Sequence, residues 1–428
     1  MKKVVKKIAL LLIVFGIGVG VTLLYTNNKY KVYEEEEPKQ IKKHVDTISM
    51  MLETEAGSGN YEMTTRSEWP TDGYIFNTTL SKCENGGELS WDDTNKRVLM
   101  SGNVSDKCYV YFDVYVPPTV VSDVCNGGET LSTCITTLSQ NSTSSYTNIY
   151  HHDSALANGA GDNSYRYAGA NPNNFVCFGT NTTPCPTDNL YRIIGVFGNQ
   201  VKLIKYDYAT SALLGTDGDY KGTGTPNASY YKGSLTTINT YYWNKATSKN
   251  TWSESNLNKV NLNTNFINNI RSEWAAKIAE TTWKVGGNTF ANIGTQPAKT
   301  AYQNEIVSPV TTNTTDGATE YSAKIGLMYV SDYMYAASQD KWTLVGNGSA
   351  TTDYRAATSV NWMYMGFDDW TISRIADNSS SVFGMYSTGY VDYGYVGGNS
   401  GCRPSFSLLS STTYVSGSGS ASDPMVIN

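Results

Sequence analysis

A lone thiol near the C-terminus offers the first candidate chemistry. In NSGCRPSFSLL, residues 399–409, Cys402 stands beside Arg403 and Pro404. Such a thiol can be a nucleophile, half of a disulfide or a small apolar filler. Nucleophilic use needs a base within reach, usually histidine. The chain has three histidines, His44, His151 and His152, and none lies beyond His152. Cys402 therefore reads as a buried side chain at the start of a strand, and no catalytic residue is expected. His151, His152 and Asp153 are adjacent, but no third or fourth ligand is spaced to complete a metal site and no C-x-x-C occurs. They read as a surface turn. TDGDYKGTG, residues 216–224, has the aspartates of a calcium loop without its terminal glutamate or alternating ligands. No metal and no cofactor is expected.

The other six cysteines, Cys83, Cys108, Cys125, Cys134, Cys177 and Cys185, fall into neighbouring pairs: 83/108, 125/134 and 177/185. Proximity alone selects that connectivity among the many possible. Disulfides belong to oxidising, exported compartments. Closing a loop the size of 83–108 restricts the unfolded chain by about 3 kcal/mol.

The export route is written at the N-terminus. Lys2, Lys3, Lys6 and Lys7 precede an apolar run over residues 8–25. About 18 apolar residues is the lower range for a membrane-spanning helix. The lysines place the N-terminus in the cytoplasm. A cleaved signal peptide would end in a small-residue site, and LLYTNN is a poor one. The reading is an uncleaved signal-anchor over residues 1–26, with Gly16 and Gly20 spaced as a G-x-x-x-G helix-pairing motif. A charged stalk, residues 27–60, follows, with a weak helical period at Val45, Ile48, Met51 and Leu52.

Of 428 residues only 16% are charged, while 32 are tyrosine and 38 glycine, which favours strands and turns over long solvated helices. The net charge of −6 lacks the basic footprint that nucleic acid requires. Residues 61–118 read as a small β domain, sandwich-like, with a tight turn at DDTN and an end at VPP. Residues 119–184 are polar and turn-rich and read as a connecting region. Residues 185–428 read as α+β with antiparallel sheets. Their strongest signal is a hairpin over 191–197 and 200–206 turning on GN. Trp252, Leu257, Val260, Leu262, Phe266 and Ile270 suit two short helices over a core. AKIGLMYVSDYMYAAS suggests a strand and then a helix.

The ordered set YRIIGVF, VKLIK, IGLMYVSDY, a W–ISR pattern, RPSFSL and SGSGSASDPMVI resembles an uncharacterised domain family of bacterial cell-surface proteins. That family is distantly similar to formylglycine-generating-enzyme-like and C-type-lectin-like folds. The resemblance covers about residues 185–428. It implies a lectin-like α+β fold, an exported location and no established activity. Formylglycine-generating enzymes hold copper between paired C-terminal thiolates, and a second C-terminal cysteine is missing here. The resemblance implies a structural role for Arg403 and Arg374 as ties between strands or loops. Asp368 and Asp369 are candidate partners, and Trp362 and Phe406 are expected in the core.

Just before Cys402 runs VFGMYSTGYVDYGYVGGNSG, residues 382–401, rich in Tyr, Gly, Ser and Asn. Such residues suit adaptable recognition, because tyrosine gives a large rigid contact at low entropy cost. Tyr386, Tyr390, Tyr393, Tyr395, Asn399 and Trp370 form the expected display site. The functional expectation is a membrane-anchored adhesion or recognition protein for an extracellular protein or glycan. A structural envelope or pilus-like component, and an envelope enzyme, are the other classes.

Overall fold

A computed structural model describes residues 48–428 except 71, 103–105, 116–120, 126, 141–147 and 310–317. The expected signal-anchor and most of the stalk lie outside the described residues. No helix among the described residues is long and apolar enough to cross a membrane. The chain divides into two compact units, Met1–Pro117 and Pro118–Asn428. Each mixes local turns with antiparallel sheet, and helices are few and short.

In the smaller unit the strands are β1 (Ile48–Glu53), β2 (Tyr61–Met63), β3 (Tyr74–Phe76), β4 (Lys82–Cys83), β5 (Glu88–Asp92), β6 (Arg97–Ser101) and β7 (Cys108–Val114). A sheet runs β2-β1-β7-β3, with β4 also on β7, and β5-β6 form a separate ribbon. Ile48, Met50 and Leu52 lie opposite Cys108, Val110 and Phe112 in parallel register. This corrects the helical expectation for the end of the stalk. Ile48, Met50 and Leu52 carry a period of two beside the helical spacing of Ile48, Met51 and Leu52, and burial against β7 decides for the strand. Phe76, Trp91 and Phe112 pack edge-to-face and stacked at the centre. The turn at DDTN is tied by Asn95 N–H donating to Asp92 Oδ1 at 3.1 Å. Cys83 and Cys108 face each other in register across β4 and β7 and are disulfide-bonded.

In the larger unit the strands are β8 (Ile149–His151), β9 (Tyr165–Tyr167), β10 (Phe175–Cys177), β11 (Leu190–Phe197) and β12 (Gln200–Lys205). They continue as β13 (Tyr220–Gly224), β14 (Ile238–Tyr241), β15 (Thr281–Lys284), β16 (Gly287–Asn288), β17 (Glu320–Ala323) and β18 (Ile325–Gly326). The last are β19 (Asp369–Ile375), β20 (Ser381–Met385), β21 (Val391–Tyr395), β22 (Ser405–Ser407), β23 (Tyr414–Ser416) and β24 (Val426–Ile427). A seven-stranded sheet runs β18-β22-β12-β11-β9-β8, with β10 also on β11. Its centre is the expected hairpin, β11 and β12 turning at Gly198, where φ is +62°. β11 is buried almost throughout, so both its faces are covered, as continuous apolar strands require. Gly195 is needed where β9 crosses, since a Cβ there would come within 2.3 Å of the Tyr165 carbonyl oxygen.

Residues 119–184 are not merely connecting. They supply β8, β9 and β10 to this sheet and a helix, Leu131–Gln140, whose Leu131, Ile135 and Leu138 are buried. Disulfides join Cys125 to Cys134 and Cys177 to Cys185. Strands of three residues leave too short a period to be read from sequence. The expected pair of helices over 252–270 is instead a 3₁₀ turn, Trp252–Glu254, then a π-helix, Leu257–Phe266. The wider turn brings Asn258 and Asn261 inward alongside Leu257, Leu262 and Phe266. Their amides take up loop carbonyls, as when Asn261 Nδ2 donates to the Leu214 oxygen at 2.8 Å. A four-stranded sheet, β16-β19-β20-β21, and the two-stranded pairs β13-β14, β15-β17 and β23-β24 are the other sheets of the unit.

Candidate functional site

β19 and β20 are buried along their whole length, so they form a rigid base for β21, the edge strand that carries the tyrosines. Val391, Tyr393 and Tyr395 share one face of β21; Val391 is buried at its start, while Tyr393 and Tyr395 are 47% and 50% exposed. The edge of the Tyr393 ring packs on Phe290, with centroids 5.4 Å apart. Asn399 is exposed at the turn that follows.

Tyr386 and Tyr390 are half-buried and stack on one another at 4.9 Å. The Arg355 guanidinium covers Tyr390 at 4.6 Å and is itself held by Asp353. These two rings support the surface rather than present it. Trp370 does not belong to the display. It is buried, its indole N–H donates to the Tyr241 oxygen at 2.7 Å, and Gly394 closes over its ring. A tryptophan on a strand whose two faces are both covered has no route to solvent.

Cys402 is fully buried and is the free cysteine among the described residues. Burial and the neighbouring Asp369 charge push its thiol well above the ordinary range. A thiolate nucleophile needs the opposite environment. Arg403 ties β19 to the chain leading into β22. Its Nε donates to Asp369 Oδ2 at 2.6 Å and an Nη to the Met363 oxygen at 2.8 Å. Burial raises the Asp369 carboxyl to about 6 in spite of that partner. Asp368 faces elsewhere and accepts from Ser387 N–H at 2.8 Å. Arg374 is buried and donates to the Ala318 oxygen at 2.6 Å.

The two histidines separate. His151 is exposed and stacks on Tyr165 at 4.3 Å. His152 is fully buried between Tyr335 and Trp342, and its Nδ1 accepts from Ala160 N–H at 3.0 Å. Burial and the Arg166 charge hold it neutral, with its pKa pushed down to about 2. Asp219 of the calcium-like stretch is buried and spends its oxygens on Lys245 and Leu257 N–H groups. No cluster of three His, Cys, Asp or Glu suited to a metal occurs among the described residues.

Two cavities escaped the sequence reading. One, of about 260 Å³, lies over a row of buried charges. Arg166 bonds Asp162 at 2.6 Å and lies 3.7 Å from Asp332, which Lys202 bonds at 2.5 Å. Each cation has a carboxylate there, and aromatic rings of Phe197, Tyr302 and Tyr329 surround them. The other, of about 400 Å³, is lined by Arg192, Lys232, Tyr206, Trp362 and Tyr364, with no aspartate or glutamate among its described lining residues. Isolated Arg, Lys and Asp letters far apart in sequence carry no signal of either grouping. No family model, curated protein or solved structure matches the chain.

Proposed function

We propose that the chain is a membrane-anchored, exported recognition protein whose larger unit binds an extracellular protein or glycan through Tyr393, Tyr395 and Asn399. The larger unit is read as a C-type-lectin-like α+β module. The observation that carries the reading is a pair of half-exposed tyrosines held at fixed spacing on one face of β21, over a base with no exposed side chain in β19 or β20. Rigid aromatic contacts cost little entropy on binding. Three disulfides fit an exported compartment. No reaction is proposed, because the thiol that invited one is buried and far from its reactive form.

The test is binding of the full-length chain to glycan and cell-surface arrays. Replacing Tyr393 and Tyr395 together by alanine is expected to abolish binding, while Cys402→Ser leaves it intact. Binding that survives the double replacement, or a turnover activity lost with Cys402→Ser in a folded protein, would sink the reading. Because β21 is an edge strand, a structural role by strand addition is the second reading. It requires filaments or ladders of the purified protein.

A further inference from the structure

Arg192 leaves β11 into the larger of the two cavities and is buried. Its guanidinium lies between two rings, 4.3 Å from the centre of Phe175 and 4.7 Å from that of Trp362. Nε donates to Asn174 Oδ1 at 2.7 Å, Nη2 to the Pro172 oxygen at 3.0 Å and Nη1 to the Trp362 oxygen at 3.3 Å. A guanidinium has more N–H groups than these three bonds use. Among the described residues no carboxylate pairs with it. Beyond burial, the Tyr206 hydroxyl favours its charge and the like charge of Arg403, itself paired with Asp369, opposes it. Burial pushes the Arg192 pKa down to about 9, which still leaves it a cation at neutral pH.

Buried cations are ordinarily paired, as Arg166, Lys202 and Arg403 are in this same unit. Arg192 is the exception among these four, and it opens onto a cavity. At the rim stands Lys232, whose side chain crosses the Tyr364 ring at 4.8 Å and donates to the Thr358 oxygen at 2.5 Å. Among its described lining residues the cavity thus presents two positive charges and no negative one, in a chain whose net charge is −6.

We propose that this cavity binds a small ring compound bearing a carboxylate, with the anion against Arg192 and Lys232 and the ring along Tyr206 and Tyr364. A planar guanidinium matches a carboxylate with two parallel N–H groups. The cavity volume of about 400 Å³ falls in the lower part of the small-ligand range and suits one ring. The carboxylate would supply the acceptor and the countercharge that the protein withholds. The site shares no residue with the tyrosine face, so either can fail without the other.

The experiment is calorimetric titration of the full-length chain, in a detergent without a sugar headgroup. Glucuronate and benzoate are the probes, and glucose and benzyl alcohol their neutral counterparts. At least one acid is expected to bind tenfold or more tighter than its neutral counterpart, roughly the worth of one charged hydrogen bond. Which acid binds separates a sugar acid from an aromatic acid. Arg192→Met should remove the binding. Lys232→Glu, at an exposed position, should weaken it severalfold with an unchanged circular dichroism spectrum, and it decides the matter where Arg192→Met does not fold. Binding of neither acid overturns the proposal, as does equal binding of a neutral counterpart or indifference to Lys232→Glu.

Discussion

Arg192 and Arg403 are both buried in the larger unit, and each lies against an aromatic ring. Arg403 faces Asp369 at 2.6 Å, whereas Arg192 faces carbonyls, an amide and an open cavity. The first holds two parts of the fold together. The second spends no acid of the protein and keeps its charge available. Burial alone does not define a structural arginine. What matters is whether its countercharge comes from the chain.

The comparison breaks most visibly at the paired site. Arg403→Met leaves Asp369 buried without a cation, and should cost about 3–5 kcal/mol in denaturant unfolding. Equal loss with Arg403→Met and Arg192→Met would erase the distinction. Arg192→Met orphans acceptors but no carboxylate, so its expected cost is about 1–2 kcal/mol.

Between these in size lies a pH effect at His152. Its folded pKa lies below the unfolded value of about 6.5, so its contribution is present above that value and is lost as pH falls toward about 2. Going from pH 7 to pH 5 should cost about 2 kcal/mol through this residue. His152→Asn keeps an acceptor for Ala160 N–H, and should flatten the fall in melting temperature over that window. Asp369 acts in the opposite sense, because its raised carboxyl contributes stability at low pH that is lost as pH rises through about 6. An acid limb unchanged in His152→Asn would place the sensitivity elsewhere.

Cys402→Ser buries a more polar side chain in a packed site and should cost about 1–2 kcal/mol without altering ligand binding. The smallest stability effect belongs to Tyr395→Ala, within about 0.5 kcal/mol, because the ring is half-exposed. Its effect on recognition is the large one. A melting temperature lowered as much as by Cys402→Ser would mean the ring serves the fold and not a partner.

Much of the fold was legible where a pattern is local. The β11–β12 hairpin announces itself by two apolar runs around GN, and the three disulfides join successive cysteines along the chain. The histidine-poor C-terminal half disfavoured a thiol nucleophile before any burial was known. The sequence was silent, or pointed wrongly, where a partner strand decides. Ile48–Glu53 had helical spacing and became a strand beside β7. The segment 119–184 looked like a connection and supplies three short strands to the main sheet. Trp370 stood among the tyrosines as a candidate contact and lies beneath Gly394.

The sequence by itself determined the chemical inventory: a lysine-led apolar N-terminus, paired cysteines, few charges and a tyrosine-rich stretch before Cys402. Those follow from residue identity and spacing along the chain. The tertiary structure alone decided exposure and countercharge. Tyr393 and Tyr395 are half-exposed on the edge strand β21, whereas the Trp370 ring is buried against Gly384 and Gly394 of the two neighbouring strands and bonds Tyr241. Arg403 is neutralised by a residue 34 positions away, while no carboxylate among the described residues pairs with Arg192. Electrostatic pairing depends on distance through space in a medium of low polarity, and sequence separation carries no record of that distance.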